Sequence, residues 1–586
     1  MNPKLQQLRG AMQQAGADAY IIFNTDPHAS EYVPDDYLTA KQLSGFSGDN
    51  ATIVVTQNFA GLWTDSRYYI SGSKELKDSD FQLITSSEPP FTAWLKNNLK
   101  KGAVVAFDGK CTTTAAYFDI EKKLSPAGII LNEKLDLTAS FWPNRPKPKT
   151  SEIFILKEPL AGQSSSEKIK HLIEKIKEEK ADIMLVTDLF EIAWLLNMRA
   201  SDISYCPVFK AFAIVKQDGS IILFANQERF HNAQTQYLEN LGVTICAYNL
   251  VYSALAHLTD GLSIMVDINS ANAELYLSVN KQCKIIERRS PIQMMKAIKS
   301  NNELANIRRT MITDGVALER FFFWLENSLQ QGNTITESEA AAKLLSLRAQ
   351  GKNFISESFE CISAFGANAA MPHYAPGLNS TTIIERNGVY LVDSGGQYLT
   401  GTTDITRVIP TGNYTTEFSI DYTLVLKAMR NIALAIFPTK TFGAAIDAIG
   451  RTNLWQHGKD FGHGTGHGVG YCLNVHESPV SISPNASKVP LAPGMVTSNE
   501  PGIYIEGKYG IRIENLLAVE KSQYEGFNRF ETLTLCHIDT RAVDKNLLGS
   551  TETDFLNRYN QRVFETLSPY LSGNEIDYLK NRTAKI

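Results

Sequence analysis

The amino-acid sequence predicts a mixed α/β (α+β) chain of three domains, two related α/β units followed by a third that carries the chemistry. Three observations lead there. At 586 residues the chain exceeds what one hydrophobic core normally covers. A helix-to-strand pattern occurs twice before the chain's midpoint. Five metal-ligand-type residues, Asp393, Asp404, His467, Glu500 and Glu514, gather in three short stretches of the last third.

In chain order, the segment MNPKLQQLRGAMQQAGAD reads as an amphipathic helix with Leu5, Leu8 and Met12 on one face, and it runs into the apolar strand of ADAYIIFNTD. It has no long apolar core of the kind a signal peptide needs. From about residue 167, EKIKHLIEKIKEEK leads into ADIMLVTDLFE. Both copies show a helix, an Ala-Asp turn and an apolar strand. Duplication of one α/β unit and convergence on a common pattern both account for the echo.

Two junctions divide the chain. The Pro- and Lys-rich FWPNRPKPKTSE disfavours regular structure. Ser300-Asn301-Asn302-Glu303 is a capping-box pattern, opening a helix with apolar positions Leu304, Ile307, Met311 and Leu318. The predicted domains are residues 1–148, 149–299 and 300–586.

The third domain holds the motifs VDSGGQYLTGTTDITR, GHGTGHGVG and SNEPGIYIEGKYGIRIEN. Asp393 follows the apolar run GVYLV and Asp404 sits in TTDITRVI, with a turn around Tyr398 to Gly401 between them. Folded as a hairpin, the two aspartates fall opposite or nearly opposite one another, roughly 5 Å apart at Cβ. Glu500 and Glu514 flank a second candidate hairpin, in which alternation puts Arg512 and Glu514 on one face and Ile511 and Ile513 on the other. Paired acids need counter-charge. Hard oxygen ligands with one imidazole suit a pair of divalent cations such as manganese, and they argue against a closed structural zinc site, where cysteine is favoured. Two bridged metals about 3.5–4 Å apart recur in aminopeptidases and phosphatases. Singly, each of these acids reads as a solvated loop residue; jointly they read as a hydrolase centre.

GHGTGHGVG lacks the Lys-Ser/Thr ending of a phosphate-binding loop and the glycine spacing of a dinucleotide fingerprint. His463 and His467 are four apart, but residue 464 is Gly where a zincin helix needs its Glu. Glycine is also a poor helix former. The stretch therefore reads as a strand or loop where backbone approaches a ligand closely.

These residues, with SAFGANAAMPHYAP around His373, LNVHESP around His476, and DPHASEY, LSGFSG and WTDSRYY near the start, are similar to those of a known family. The chain resembles aminopeptidase P, the Xaa-Pro aminopeptidases of the creatinase/methionine aminopeptidase/prolidase superfamily, and most closely the long, three-domain cytosolic form. The resemblance covers essentially the whole chain and favours duplication of the N-terminal unit. It implies two creatinase-like domains before a pita-bread catalytic domain. It further implies that Asp393 binds one metal, that Asp404 and Glu514 bridge both, and that His467 and Glu500 bind the other. The catalytic set it implies is His373, His463, His476, Glu500 and Arg512, with Arg512 orienting carboxylates. Two divalent ions are expected, manganese first, with zinc or cobalt as alternatives.

On this reading a metal-bridging hydroxide attacks the N-terminal Xaa-Pro bond of a peptide whose second residue is proline. Glu500 shuttles the proton and His476 stabilises the oxyanion. Prolidase-type cleavage of Xaa-Pro dipeptides is one alternative, and an inactive peptide-binding module is the other. His457 and His537 read as structural hydrogen-bonders.

Net charge is −5, which gives no electrostatic reason for nucleic-acid or anionic-membrane binding. No segment approaches the ~20 apolar residues of a membrane-spanning helix. The seven cysteines are scattered, without CxxC spacing, and favour reduced thiols. Cytoplasmic location is the expectation from these features. A homodimer is expected by resemblance.

Overall fold

A computed structural model describes residues 2–377 and 380–586. The chain forms two compact units. One comprises Met1–Glu158 with Gln163–Ile292, and the other Pro159–Gly162 with Gln293–Ile586.

The first unit contains two six-stranded sheets of one topology. In the first, the strand order in space is Gln82–Ile84, Ala60–Trp63, Thr52–Thr56, Ala19–Phe23, Val104–Phe107, Ile130–Asn132. In the second it is Val243–Ala247, Ile221–Ala225, Ala211–Lys216, Ile183–Val186, Ser263–Val266, Lys284–Glu287. The pattern of parallel and antiparallel neighbours is the same in both.

The Ala-Asp turn repeats in atomic detail. Asp18 donates its N–H to Val104 O (2.8 Å) and accepts from Val104 N–H through Oδ2 (2.7 Å). Asp182 does the same with Ser263, at 2.8 and 2.7 Å. The aspartate thus closes the edge between the first strand of each sheet and its parallel neighbour. In the helix before the first copy, Leu5, Leu8 and Met12 are buried, as their spacing requires.

The long helix of the second unit is Asn301–Gln330, where Ser300 and Glu303 complete the capping box. Its apolar face, including Phe321, Phe322 and Leu325, packs with Tyr390, Val392, Ile405 and Ile409 of the sheet Ile362–Phe365, Val389–Ser394, Ile405–Pro410. Ile307, Met311 and Leu318 are buried along the helix and Leu304 is half-buried. A six-stranded sheet runs in the order Ile436–Pro438, Phe527–Thr532, Asn515–Lys521, Val496–Asn499, Gly466–Gly468, Glu477–Ile482. Helices Thr416–Ala433, Gly443–Trp455 and Ser550–Leu567 also belong to the unit.

Beneath the first hairpin lies a buried ion pair. Arg348 donates from Nε to Asp314 Oδ1 (2.8 Å), and the Tyr398 hydroxyl donates to the same oxygen (2.8 Å). Removing one member leaves a charge uncompensated in the core. Asp314→Ala is therefore expected to lower the unfolding free energy by about 3–5 kcal/mol, read as a fall in the urea midpoint at unchanged slope. The isosteric Asp314→Asn should lose less.

Candidate metal centre

Each acidic residue sits where a hairpin changes partners. Val389–Ser394 pairs with Ile405–Pro410 in a register that sets Asp393 opposite Thr406. The same register continues through Gln397↔Thr402 and Tyr398↔Gly401 in a different sheet. Asp404 therefore lies diagonal to Asp393, two positions along, and the separation expected is ~7 Å rather than ~5 Å. The turn position was legible in the sequence; its register was not.

Glu500 and Glu514 occupy a second crossing. Val496–Asn499 pairs with Asn515–Lys521 through Asn499↔Asn515, and Gly502–Ile505 pairs with Tyr509–Arg512 through Gly502↔Arg512. Counting inward from either ladder sets Glu500 opposite Glu514. Ile511 and Ile513 are buried on the other face from Arg512 and Glu514.

His467 belongs to the short strand Gly466–Gly468, between Glu477–Ile482 and Val496–Asn499. A Cβ on Gly466 would stand 2.2 Å from Ser498 O, and one on Gly468 2.2 Å from Glu477 O. Only glycine permits that approach.

Ligand-type atoms of Asp404, His467 and Glu514 all lie within 4.8 Å of one another. His467 Nδ1 is 2.9 Å from Gly468 O, which can only accept, so Nδ1 carries hydrogen and Nε2 turns to the acids. Nε2 is 3.2 Å from Glu500 Oε1 and 3.4 Å from Asp404 Oδ2.

Each remaining carboxylate has one oxygen tied. Arg512 donates to Asp393 Oδ2, Thr406 Oγ1 donates to Glu514 Oε2 (2.8 Å), and Ser498 Oγ donates to Glu500 Oε1 (3.0 Å). Asp393 Oδ1 and Glu514 Oε1 are buried and accept no hydrogen bond. Buried orphan acceptors of this kind are costly unless a cation or donor meets them.

The electrostatics point the same way. Burial, with the charges of Asp404 and Glu500 added, pushes Asp393 up to about 6 against the pull of Arg512. Burial and then Asp404, Glu500 and Asp393 hold Glu514 well above the usual carboxylate range. Glu500 is held below it, because His467, His463 and Arg512 outweigh the effect of burial. Burial opposes a charged His467 ring, but Asp404 and Glu500 raise it well above its ordinary value. The cluster holds more negative charge than its own cations neutralise, and its donor set fits a pair of divalent metals. Metal binding would displace the His467 proton.

The non-ligand histidines are held around this cluster. His463 Nδ1 meets Gly464 O (2.7 Å), so Nε2 accepts from the Tyr504 hydroxyl (2.7 Å), which itself accepts from Arg512 Nη1 (2.6 Å). Burial lowers His463 to about 4 and raises Tyr504 to about 12, so both are neutral at pH 7. The His476 ring stands edge-on to His467 with centroids 4.3 Å apart. Pro372, beside His373, accepts from Arg512 Nη2 at 3.4 Å. His457 Nδ1 bonds Asn453 O at a helix end, and His537 lies in the core against Glu319, so both are structural as expected.

Tyr504, Thr406 and Ser498 escaped the sequence reading. Thr406 and Ser498 each stand two residues from a candidate ligand, Asp404 and Glu500 respectively, and period-2 alternation could have pointed to them. Tyr504 lies across the second hairpin, diagonal to Arg512.

Metallopeptidase family M24 matches residues 305–521, and the C-terminal region of peptidase M24 matches 526–586. The creatinase/prolidase N-terminal domain matches twice, over 4–132 and 144–303. A probable Xaa-Pro aminopeptidase P of Laccaria bicolor is 36% identical, over 97% of this chain and 91% of its own length. The solved X-prolyl aminopeptidase of Caenorhabditis elegans, described as a cytosolic enzyme with a di-nuclear active site, superposes with a TM-score of 0.95 at 34% identity. The match covers 100% of this chain and 99% of that one. The Xaa-Pro dipeptidase of Bacillus anthracis shares the fold alone, at TM-score 0.52 and 22% identity over 64% of this chain and 99% of its own. The chain belongs to the Xaa-Pro aminopeptidase P family of M24 metallopeptidases, with creatinase-like N-terminal domains and a pita-bread catalytic domain.

Asp404→Asn keeps the shape of the cluster and removes one of its charges. Elemental analysis of the purified, metal-loaded variant should show less bound metal than wild type, with far-UV circular dichroism unchanged.

Proposed function

We propose that this chain is a metallo-aminopeptidase that removes the first residue from peptides with proline in second position, using two divalent metal ions, manganese first among them. The observation that carries the reading is the convergence of Asp404, His467 and Glu514 within 4.8 Å, beside two buried carboxylate oxygens without a partner. Asp393 would hold one ion and His467 with Glu500 the other, with Asp404 and Glu514 shared between them. When bound, such a pair lowers the pKa of water toward 7 and polarises a carbonyl.

The chain's own groups do the rest. Glu500, aligned by Ser498 and beside His467, takes the proton from the attacking water and passes it to the leaving nitrogen. His476, edge-on to His467, faces the developing oxyanion. Asp404 lies beside the substrate's α-amine, which makes the enzyme count from the N-terminus. Arg512 fixes Asp393 and, through Tyr504, holds His463 in one tautomer. His373 and His463 shape the subsite. An Xaa-Pro bond has no N–H for a peptidase to read, and proline fixes φ, so a dedicated enzyme has a physical niche.

The domains assigned are 1–148, 149–299 and 300–586, with the cytoplasm as location and a homodimer as assembly. No helix among the described residues is long and apolar enough to cross a membrane. Exposed Leu434, Ile436, Phe442, Ile449 and Trp455 leave apolar surface on the catalytic unit, consistent with self-association.

The deciding assay uses chelator-stripped protein reloaded with manganese or with zinc, and offers Xaa-Pro-Yaa, Xaa-Ala-Yaa and the Xaa-Pro dipeptide. Metal-dependent release of the first residue from Xaa-Pro-Yaa alone is expected. Activity confined to the dipeptide would make it a prolidase, and silence with every metal a binding module. Tyr504→Phe, which breaks the Arg512–His463 link without moving a charge, should lower kcat by roughly 10-fold or more with little change in melting temperature.

A further inference from the structure

Behind the acid cluster lies a guanidinium that the reaction does not use. Arg407 is fully buried and touches no carboxylate, yet every N–H of its fork is engaged. Nε donates to His537 O (2.9 Å), while Nη1 donates to Thr406 O (2.9 Å) and to Glu514 O. Nη2 donates to Asn515 Oδ1 (2.8 Å), Cys536 O (2.9 Å) and the Tyr559 hydroxyl (3.0 Å).

These partners belong to three separate pieces of chain. Thr406 O is two residues beyond Asp404, on the strand Ile405–Pro410, and it also accepts the Glu514 N–H (3.1 Å). Glu514 and Asn515 lie on the second crossing. Cys536 and His537 belong to the C-terminal region, and Tyr559 to its helix Ser550–Leu567.

The third piece is itself braced. Glu319 of the long helix accepts the His537 N–H (2.8 Å) and meets its Nδ1 (2.8 Å), and the Tyr559 hydroxyl meets Cys536 O (2.9 Å). Glu319, Cys536 and His537 form a second trio of ligand-type side chains, but Glu319 is already bonded to His537. The trio's role here is to aim two carbonyls at Arg407.

We propose that Arg407 is a positioning residue of the metal centre. It sets the spacing of Asp404 and Glu514, the two carboxylates assigned as bridges, and it draws its own rigidity from the C-terminal region through Tyr559 and the 536–537 carbonyls. The inference rests on the dinuclear reading above. Asp404 and Glu514 come from hairpins far apart in sequence, and Arg407 bonds the backbone of both. A lysine in its place offers three donors on one point and cannot span the fork.

The test compares Arg407→Lys and Tyr559→Phe with Leu556→Ala, a core truncation on the same helix that removes no hydrogen bond from Arg407. Manganese affinity of the stripped proteins is measured by competition with a chromogenic chelator, alongside apo melting temperature, kcat and KM. Arg407→Lys is expected to bind manganese about 10–100-fold more weakly, and Tyr559→Phe roughly 10-fold, with kcat falling at steady KM. Leu556→Ala should lose melting temperature and keep its affinity.

Affinities in Arg407→Lys and Tyr559→Phe equal to wild type overturn the inference alone. Wild-type protein that takes up no manganese overturns the dinuclear reading together with it. Tyr559→Phe removes one hydroxyl and no charge, and it decides the matter even where Arg407→Lys does not fold.

Discussion

Four carboxylates and one imidazole share a largely buried space in the second unit, and that crowding of like charge is the constraint the rest of the unit answers. Isolated, buried acids would protonate or leave the core. Here they are kept by ties that satisfy one oxygen at a time: Arg512 on Asp393, Thr406 on Glu514, Ser498 on Glu500. The oxygens left over are the ones a cation needs. The pattern separates holding from binding, so that the donors orient each acid without saturating it.

Backbone geometry makes the crowding attainable. Both acid-bearing hairpins cross from one sheet to another at the acidic residues, which turns side chains that would line a flat face into a converging set. The glycines of GHGTGHGVG admit the third element, because Gly466 and Gly468 meet carbonyls at a distance no Cβ tolerates. Arg451 secures the turn before it, donating to Phe461 O (2.8 Å) and His463 O (2.7 Å) from the helix Gly443–Trp455. Backbone carbonyls are thus used throughout as fixed reference points for side chains that must not move.

The first unit obeys a different logic. Its two sheets repeat one strand order, and Asp18 and Asp182 repeat one pair of hydrogen bonds, at matching distances. A turn aspartate that caps the neighbouring strand is a local solution, and local solutions survive divergence in the sequence around them. That is why the echo of the two Ala-Asp turns was visible in the residues alone.

What the sequence by itself determined follows from short-range physics. Helix caps at Ser300, apolar spacing at Leu5, Leu8 and Met12, the turn at Tyr398–Gly401 and the types of the five candidate ligand residues are all decided within a few positions of the chain. The family to which the chain belongs was legible in the same motifs. Tertiary structure alone decided the diagonal offset of Asp393 and Asp404, the facing of Glu500 and Glu514, the Tyr504 bridge and the saturation of Arg407 by six partners. Each of these joins residues far apart in sequence, and alternation along one strand tells which face a side chain takes but not which other strand comes to meet it.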